Sequence, residues 1–476
     1  MPAPRSAMYG YETEQLPLLG NHTNRLASAA KDQVFYNVIA DVVKSPVGES
    51  KTVWLSKRGG FVADTTVIGG GGAGRGLYYW ARTGKKYSVV ANKLYSNTTA
   101  IQTLNTSTGK CWFEEATGTS DVLIISDGTD MYTISLSDVV TDITDADMPA
   151  GPISPVSLDG YVFIIKSGTD EIWNSDVDAP TAWTANSFLS AEMYPDNLVA
   201  LSRHLNYIIA FGTFSTELFY DNENASGSPL RRTDSGATKV GLAARDSVAQ
   251  ADKRTLFVGQ SNIGEPSVWM FDGLTPAPVS TEFIDKILVT EGSNLTNAVA
   301  WICRHKGHTL YILNLNARTL AYDLDEKVWT DWSINSASTH AVLPFKYATQ
   351  GANNVILVLH NTDGKIYKLD KDTFTDDAGA ILVDIITARV NFKSLRRKRM
   401  FKVELMADKE SSGTVTLQWS DDDYQTWSNS RSLDLTTRPY TKACGVFRRR
   451  AFRLQHSTNA AFRAQALEID YSEGFS

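Results

Sequence analysis

Residues 121–135 read DVLIISDGTDMYTIS, and residues 160–176 read GYVFIIKSGTDEIWNSD. Each is an apolar run of four to six residues, a turn, then a short strand with an aromatic residue and an acidic one at or near its end. The same phrase returns as NYIIAFGTFSTELFYD (206–221), RTLFVGQSNIGEPSVWMFDG (254–273), HTLYILNLNARTLAYDLD (308–325) and NVILVLHNTDGKIYKLD (354–370), with a shorter copy, KYSVVANKLYSN, at 86–97. The aromatic anchors Tyr95, Tyr132, Trp173, Tyr220, Phe271, Tyr322 and Tyr367 stand roughly 37 to 51 residues apart. That period is the length of one four-stranded propeller blade. The turns agree: Asp127-Gly128, Asp159-Gly160, Asp272-Gly273 and Asp363-Gly364 tolerate the left-handed backbone that tight hairpins require. The fold expected is all-β, a six- or seven-bladed β-propeller. A propeller hosts many functions, so the architecture alone names none.

Working outward, the flanks differ from the repeats. Residues 1–32 are polar, with Pro2, Pro4 and Pro17, and read as an extended arm. VFYNVIADVV and TVWL within 33–60 read as strands, and GGFVADTTVIGGGGAGRG is a glycine-dense, flexible connector ending at Gly76. STEFIDKIL (280–288) is the best helix candidate, with Ser280 or Thr281 as its cap. From about residue 380 the strand period continues but tightens, as in FKVELMA, GTVTLQWS and AQALEIDY. The expected organisation is therefore 1–76 as an arm and strands packing on the C-terminal region, 77–379 as the propeller, and 380–476 as an antiparallel β-sandwich.

Charge separates these regions further. Residues 380–476 carry 16 Lys and Arg against 11 Asp and Glu, a net +5; the whole chain is −7, which leaves −12 for residues 1–379. An acidic body argues against nucleic-acid binding driven by phosphate neutralisation, though not against a surface that DNA slides past. Cys111, Cys303 and Cys444 are far apart with no CxxC, so reduced packing residues are expected rather than a disulfide or zinc framework. The first residues lack the apolar core of a secretion signal, and no run approaches the ~20 residues of a membrane span.

Few motifs suggest chemistry. GGGGAGRG (Gly69–Gly76) contains G-x-G-x-x-G, but strand-like LYYW follows it rather than a helix, and no Gly-Lys-Ser/Thr follows, so neither a nucleotide fingerprint nor a phosphate cradle is expected. His305-Lys306-Gly307-His308 has no acidic neighbour to complete a metal site and reads as a solvated turn. SDDDYQTW (Ser420–Trp427) resembles the Asp-box turn of sialidase-type propellers, with Tyr424 in place of glycine; that motif is structural, its carboxylate and hydroxyl satisfying backbone donors. No catalytic, cofactor-binding or metal site is expected. The strongest charge clusters are Lys393, Arg396, Arg397, Lys398 and Arg399, and then Arg448, Arg449 and Arg450. Strand alternation puts Arg396, Lys398 and Met400 on one face and Arg397, Arg399 and Phe401 on the other. These clusters read either as a docking surface for an acidic partner or as a β-edge guarded against edge-to-edge pairing.

Several segments together resemble one family, the tail hub (nozzle) or packaged-DNA stabilisation proteins of short-tailed bacteriophages. They are AAKDQVFYNVIADVV (29–43), GAGRGLYYW (72–80), residues 157–201, GTFSTELFYDN (212–222), VGLAARDSVAQADKRTLFVGQ (240–260), VWMFDGLTPAPVST (268–281) and residues 308–333. The opening strand departs from the family pattern, and the C-terminal sandwich matches only loosely. The resemblance implies a structural virion protein, assembled in the host cytoplasm and lodged in the tail. It implies a homo-oligomeric ring, typically six copies, below the portal and its adaptor, extending the DNA channel. Such a ring retains packaged DNA, lets it pass without tight binding, and docks needle, fibre or spike proteins. Two rivals stand beside it: a propeller glycosidase or receptor-binding protein acting on host surface polysaccharide, and a propeller interaction module in a cell. The first needs Asp-boxes in several blades, whereas the chain has one degenerate copy outside the repeats.

Overall fold

The computed structural model describes residues 12–19, 33–44, 51–65, 67–118, 121–224, 226–233, 236–336, 339–377 and 379–474. Of the arm expected over 1–32, residues 1–11 and 20–32 fall outside this set. The chain forms two compact units. One comprises Ala63–Asn316 and Pro344–Leu369; the other comprises Met1–Val62, Ala317–Leu343 and Asp370–Ser476.

The first unit is the β-propeller. Its first blade is Gly74–Trp80, Lys85–Val90, Lys93–Ser96 and Thr99–Thr103, each strand antiparallel to the next. The second runs Trp112–Ala116, Val122–Ser126, Met131–Ile134 and Val140–Asp142, and the third Pro152–Leu158, Tyr161–Lys166, Glu171–Asp176 and Ala179–Ser190. The fourth is Leu198–His204, Tyr207–Gly212, Thr216–Asp221 and Leu230–Arg232. In the fifth, Gly241–Leu242 and Ala249–Ala251 both pair with Arg254–Gln260, followed by Ser267–Phe271 and Pro276–Pro278. The helix Glu282–Glu291 and the hairpin Val299–His305/His308–Asn314 come next, then Phe345–Gln350, Ile356–His360 and Ile366–Asp370 of the sixth blade. Six anchors, Tyr95, Tyr132, Trp173, Tyr220, Phe271 and Tyr367, sit on the strand that follows the apolar hairpin strand of their blade. The seventh, Tyr322, lies on Thr319–Asp323 in the other unit.

Successive blades bury apolar faces against each other. Ile153, Phe163, Ile165 and Ile172 of the third blade pack with Leu201, Ile208 and Phe219 of the fourth. The circle closes where Phe345–Gln350 lies along Gly74–Trp80, with Tyr79 N–H donating to Thr349 Oγ1 at 3.1 Å. Here the expected connector is structural: Gly74 and Gly76 are part of the innermost strand. A Cβ on Gly74 would stand 2.5 Å from the His360 carbonyl, and one on Gly76 2.7 Å from the Cys111 carbonyl. The helix starts at Thr281, whose hydroxyl accepts from Ile284 N–H, and extends three residues past the apolar stretch that announced it.

The second unit is two packed sheets. In one, Arg463–Glu473 is flanked by Lys398–Ala407 and Glu12–Pro17, and also pairs with Lys51–Lys57, which forms a hairpin with Val38–Lys44. In the other, Val34–Tyr36, Val383–Ile386, Ala451–His456, Thr414–Ser420 and Arg431–Asp434 run antiparallel in that order. Alternate residues of both sheets fill one core, among them Val38, Leu55, Val403, Leu405, Leu467 and Ile469 from the first and Phe35, Ile385, Leu417, Phe452 and Leu454 from the second.

Candidate docking surface

The two basic clusters meet on the second unit. Lys398 is opposite Phe447, and Arg399 opposite Val446, where Val446–Phe447 pairs with the start of Lys398–Ala407. Arg448 Nη1 donates to the Leu395 carbonyl at 2.8 Å and ties the 391–397 turn to the second cluster. Phe392 and Lys393, both with positive φ, make that turn.

The eight expected residues divide by burial rather than by alternation: only Lys398 and Arg399 lie within a strand, and Arg396, expected on one face with Lys398, is exposed where Lys398 is not. Arg396, Arg397, Arg399, Arg448 and Arg449 are exposed, and Lys393 is 92% exposed, with Glu14 Oε1 4.0 Å from its Nζ. Lys398 and Arg450 face inward. Lys398 Nζ donates to the Ser394 and Arg396 carbonyls at 2.6 and 3.1 Å, and burial pulls its pKa down against the opposing pull of Glu473 and Glu12. Arg450 forms a two-pronged pair with Asp421, both distances 2.7 Å, and donates to the Cys444 carbonyl at 2.6 Å. Its guanidinium lies between the Trp419 and Phe447 rings, at 5.0 and 4.5 Å. The outward surface is thus six cations, with Leu395 and Val446 exposed among them.

Two further arginines act as internal clamps that charge counting does not reveal. Arg75, in the Gly74-Arg75-Gly76 sequence, is buried and donates to the Gly109, Ala91, Thr106 and Thr108 carbonyls at 2.8–2.9 Å. Arg58 is buried and grips both Asp376 oxygens, Asn37 Oδ1 and the Ser333 carbonyl. Their signal in the sequence is an arginine next to glycine in a segment of aromatic and aliphatic residues, Arg75 within a strand and Arg58 just after one.

The remaining motifs have structural places. Asp422 Oδ1 accepts from the Thr426 and Gln425 amides and from Ser420 Oγ, while Thr426 Oγ1 donates to Oδ2. These donors hold its carboxyl down at about 2. Asp423 and Tyr424 take the left-handed conformations that glycine would favour, and Tyr424 Oη donates to the Thr387 carbonyl. Lys306 and Gly307 form the exposed turn of a hairpin. The three cysteines are buried, and none is joined to another by a disulfide. Among the described residues no group of His, Cys, Asp or Glu could hold a metal ion, and no helix is long and apolar enough to cross a membrane.

Comparison with known proteins agrees with the repeats. The tail hub protein gp10 of Salmonella phage P22 is 24% identical over 164 residues, covering 33% of this chain and 34% of that protein, so the match spans about a third of the relative's length. Among solved structures, the N-terminal domain of Nup159 aligns at 9% identity and a TM-score of 0.40, covering 70% of this chain and 98% of that one. Virginiamycin B lyase from Staphylococcus aureus aligns at 9% identity and a TM-score of 0.37, covering 75% and 98%. The profile of the family described as bacteriophage P22 Gp10, β-propeller, matches residues 19–374. That span holds every propeller blade, and the chain belongs to this family.

Proposed function

We propose that the chain is a structural component of a phage tail hub. Copies form a ring, six in number, below the portal and its adaptor. The ring extends the DNA channel, retains the packaged genome and docks needle, fibre or spike proteins. The observation that carries this reading is the family match across the whole propeller. Charge supports it: the propeller segments Ala63–Asn316 and Pro344–Leu369 hold 29 Asp and Glu against 20 Lys and Arg. A conduit with that balance repels the phosphate backbone and lets DNA pass without tight binding. In this reading the protein catalyses no reaction, assembles in the host cytoplasm and ends in the virion tail.

The test is nuclease protection of the genome in particles assembled without this chain. Heads that package DNA and then leak it, with infectivity restored by the purified protein, support the hub. Heads that keep their DNA and fail only at adsorption make the chain a distal attachment component and remove the channel role.

A further inference from the structure

The six-cation rim has a chemical complement on the propeller. In an antiparallel four-stranded blade, the turn joining the first two strands and the turn joining the last two leave the sheet at the same edge. On the third blade these are Asp159-Gly160 and Val177-Asp178; on the fourth they are Leu205-Asn206 and the segment after Asp221, which includes Glu223. Asp159, Asp178 and Glu223 are exposed, and Asp176 and Asp221 half-buried. None of the five has a cation within ion-pair distance among the described residues. The Asp176 carboxylate accepts from Thr184 Oγ1, and that of Asp221 from the Glu223 amide. Asp178 stands against the Asp159-Gly160 turn, its Oδ1 2.8 Å from where a Gly160 Cβ would be, and the Tyr161 hydroxyl, which burial has already raised, is pushed up by Asp221, Asp176 and Asp178. Val177, 54% exposed, and Leu205 stand among them. Two cations share the edge: Arg203, whose guanidinium donates to the Leu205 and Ser157 carbonyls, and the exposed Arg231, which lies opposite Tyr220 and beside the Asp221–Leu230 pair.

We propose that the rim of Lys393, Arg396, Arg397, Arg399, Arg448 and Arg449 on one copy docks on the acidic edge of the third and fourth blades of another copy. The inference rests on the ring reading above and names the surfaces that join it. Two features select a protein face over a phosphate backbone. Leu395, 62% exposed, and Val446 stand amid the cations, and nucleic acid has no apolar groups there to cover them. The acidic edge offers Val177 and Leu205 in the matching role. The two patches differ, so the contact is head-to-tail and propagates from copy to copy until it closes.

The experiment is sedimentation velocity of the full chain with two charge reversals. The rim variant carries Arg396→Glu, Arg397→Glu, Arg399→Glu, Arg448→Glu and Arg449→Glu; the edge variant carries Asp159→Lys, Asp178→Lys, Asp221→Lys and Glu223→Lys. Self-association of the unaltered chain is expected to weaken with salt, and that of each variant alone to weaken by about 100-fold. An equimolar mixture is expected to associate again, because each altered patch then meets its opposite. A carbodiimide cross-link from Lys393 of one isotope-labelled copy to Asp159, Asp178, Asp221 or Glu223 of another gives an independent readout without substitution. Overturning results are a monomeric unaltered chain at every salt concentration, unchanged association in either variant, no recovery in the mixture, or a rim variant that loses only DNA binding. The nuclease test on particles is read separately, so a hub that retains DNA but associates through other surfaces defeats this inference alone.

Discussion

Arg450 shows how little of a charge cluster's meaning lies in the charges themselves. Phe447-Arg448-Arg449-Arg450 reads as one basic run, yet Arg448 and Arg449 lie on a bend after Val446–Phe447 and face outward, while Arg450 enters an aromatic slot with a carboxylate at its mouth. Removing Arg450 leaves Asp421 and the Cys444 carbonyl without their donor. Because the Asp421 side chain is 39% exposed and rehydrates in part, Arg450→Ala is expected to cost about 2–4 kcal/mol, below the full cost of breaking a buried pair. Arg450→Lys recovers only part, for want of the planar fork. Arg449→Ala is the control and leaves stability within about 0.5 kcal/mol. Urea unfolding separates the three. His456 is a second buried group with a measurable signature. Burial, with Lys57 adding, pushes its pKa down to about 3, and among the described residues neither ring nitrogen has a hydrogen-bond partner. The native state therefore holds it neutral, while the unfolded chain takes up a proton below about pH 6.5. Its contribution is full above that pH and is lost as pH falls toward about 3, amounting to about 2–3 kcal/mol by pH 4.5. His456→Phe, which keeps the stack on Phe462, is expected to remove one proton's worth of slope from stability between pH 4.5 and 6.5. An unchanged slope would place the acid sensitivity elsewhere.

At the scale of elements, the propeller strands were legible because each hairpin is local: an apolar run, a turn and an aromatic strand lie within some 15–20 residues of one another. The helix was legible for the same reason, through Thr281 and its cap. The Gly69–Gly76 segment misled because glycine density signals flexibility and close packing equally. In the structure, close packing governs Gly74 and Gly76, whose missing side chains let the first blade's inner strand approach its neighbours. Gly74→Ala and Gly76→Ala, which force a Cβ against a carbonyl oxygen, are expected to cost about 1–3 kcal/mol each. Gly70, at φ +82° with open space around it, is expected to lose about 1 kcal/mol or less as Ala, through backbone conformation alone. Hydrogen exchange distinguishes the causes. The first two variants should speed exchange at Gly74–Trp80 and Phe345–Gln350, where the circle closes, and the third should not. Equal acceleration in all three would mean the closure does not depend on that approach. Pairings across hundreds of residues left no local trace: Glu12–Pro17 runs beside Arg463–Glu473, and Tyr471 Oη donates to Glu12 Oε2 at 2.6 Å, yet neither strand's own sequence names its partner.

Across the whole molecule, the basic rim was visible as composition, whereas its proposed acidic counterpart was not, because five carboxylates drawn from two blades and separated by as many as 64 positions (Asp159 to Glu223) look like ordinary turn residues. The division of the chain was hidden in the same way. The sequence changes character near residue 380, and residues 1–76 were expected to pack on the C-terminal region, but nothing in it marks Ala317–Leu343 as part of the two-sheet unit. Its single core joins Leu18, Phe35, Val38, Leu55 and Val328 to Val383, Val403, Leu417, Phe452 and Ile469. A chain truncated after Gly379 keeps the first group and loses every residue of the second, leaving Val38, Leu55 and Phe35 with no opposing sheet. Such a chain is expected to bind a hydrophobic dye and aggregate. Residues 380–476 alone, missing the strands Val34–Tyr36, Val38–Lys44 and Lys51–Lys57, are expected to lack a cooperative unfolding transition. Mixing the two pieces should restore a soluble complex, since every strand of the core is then present. A soluble, dye-negative chain ending at Gly379 would show instead that the propeller is stable without the second unit's core. The change in charge near residue 380 would then mark a true boundary of folding as well as of composition.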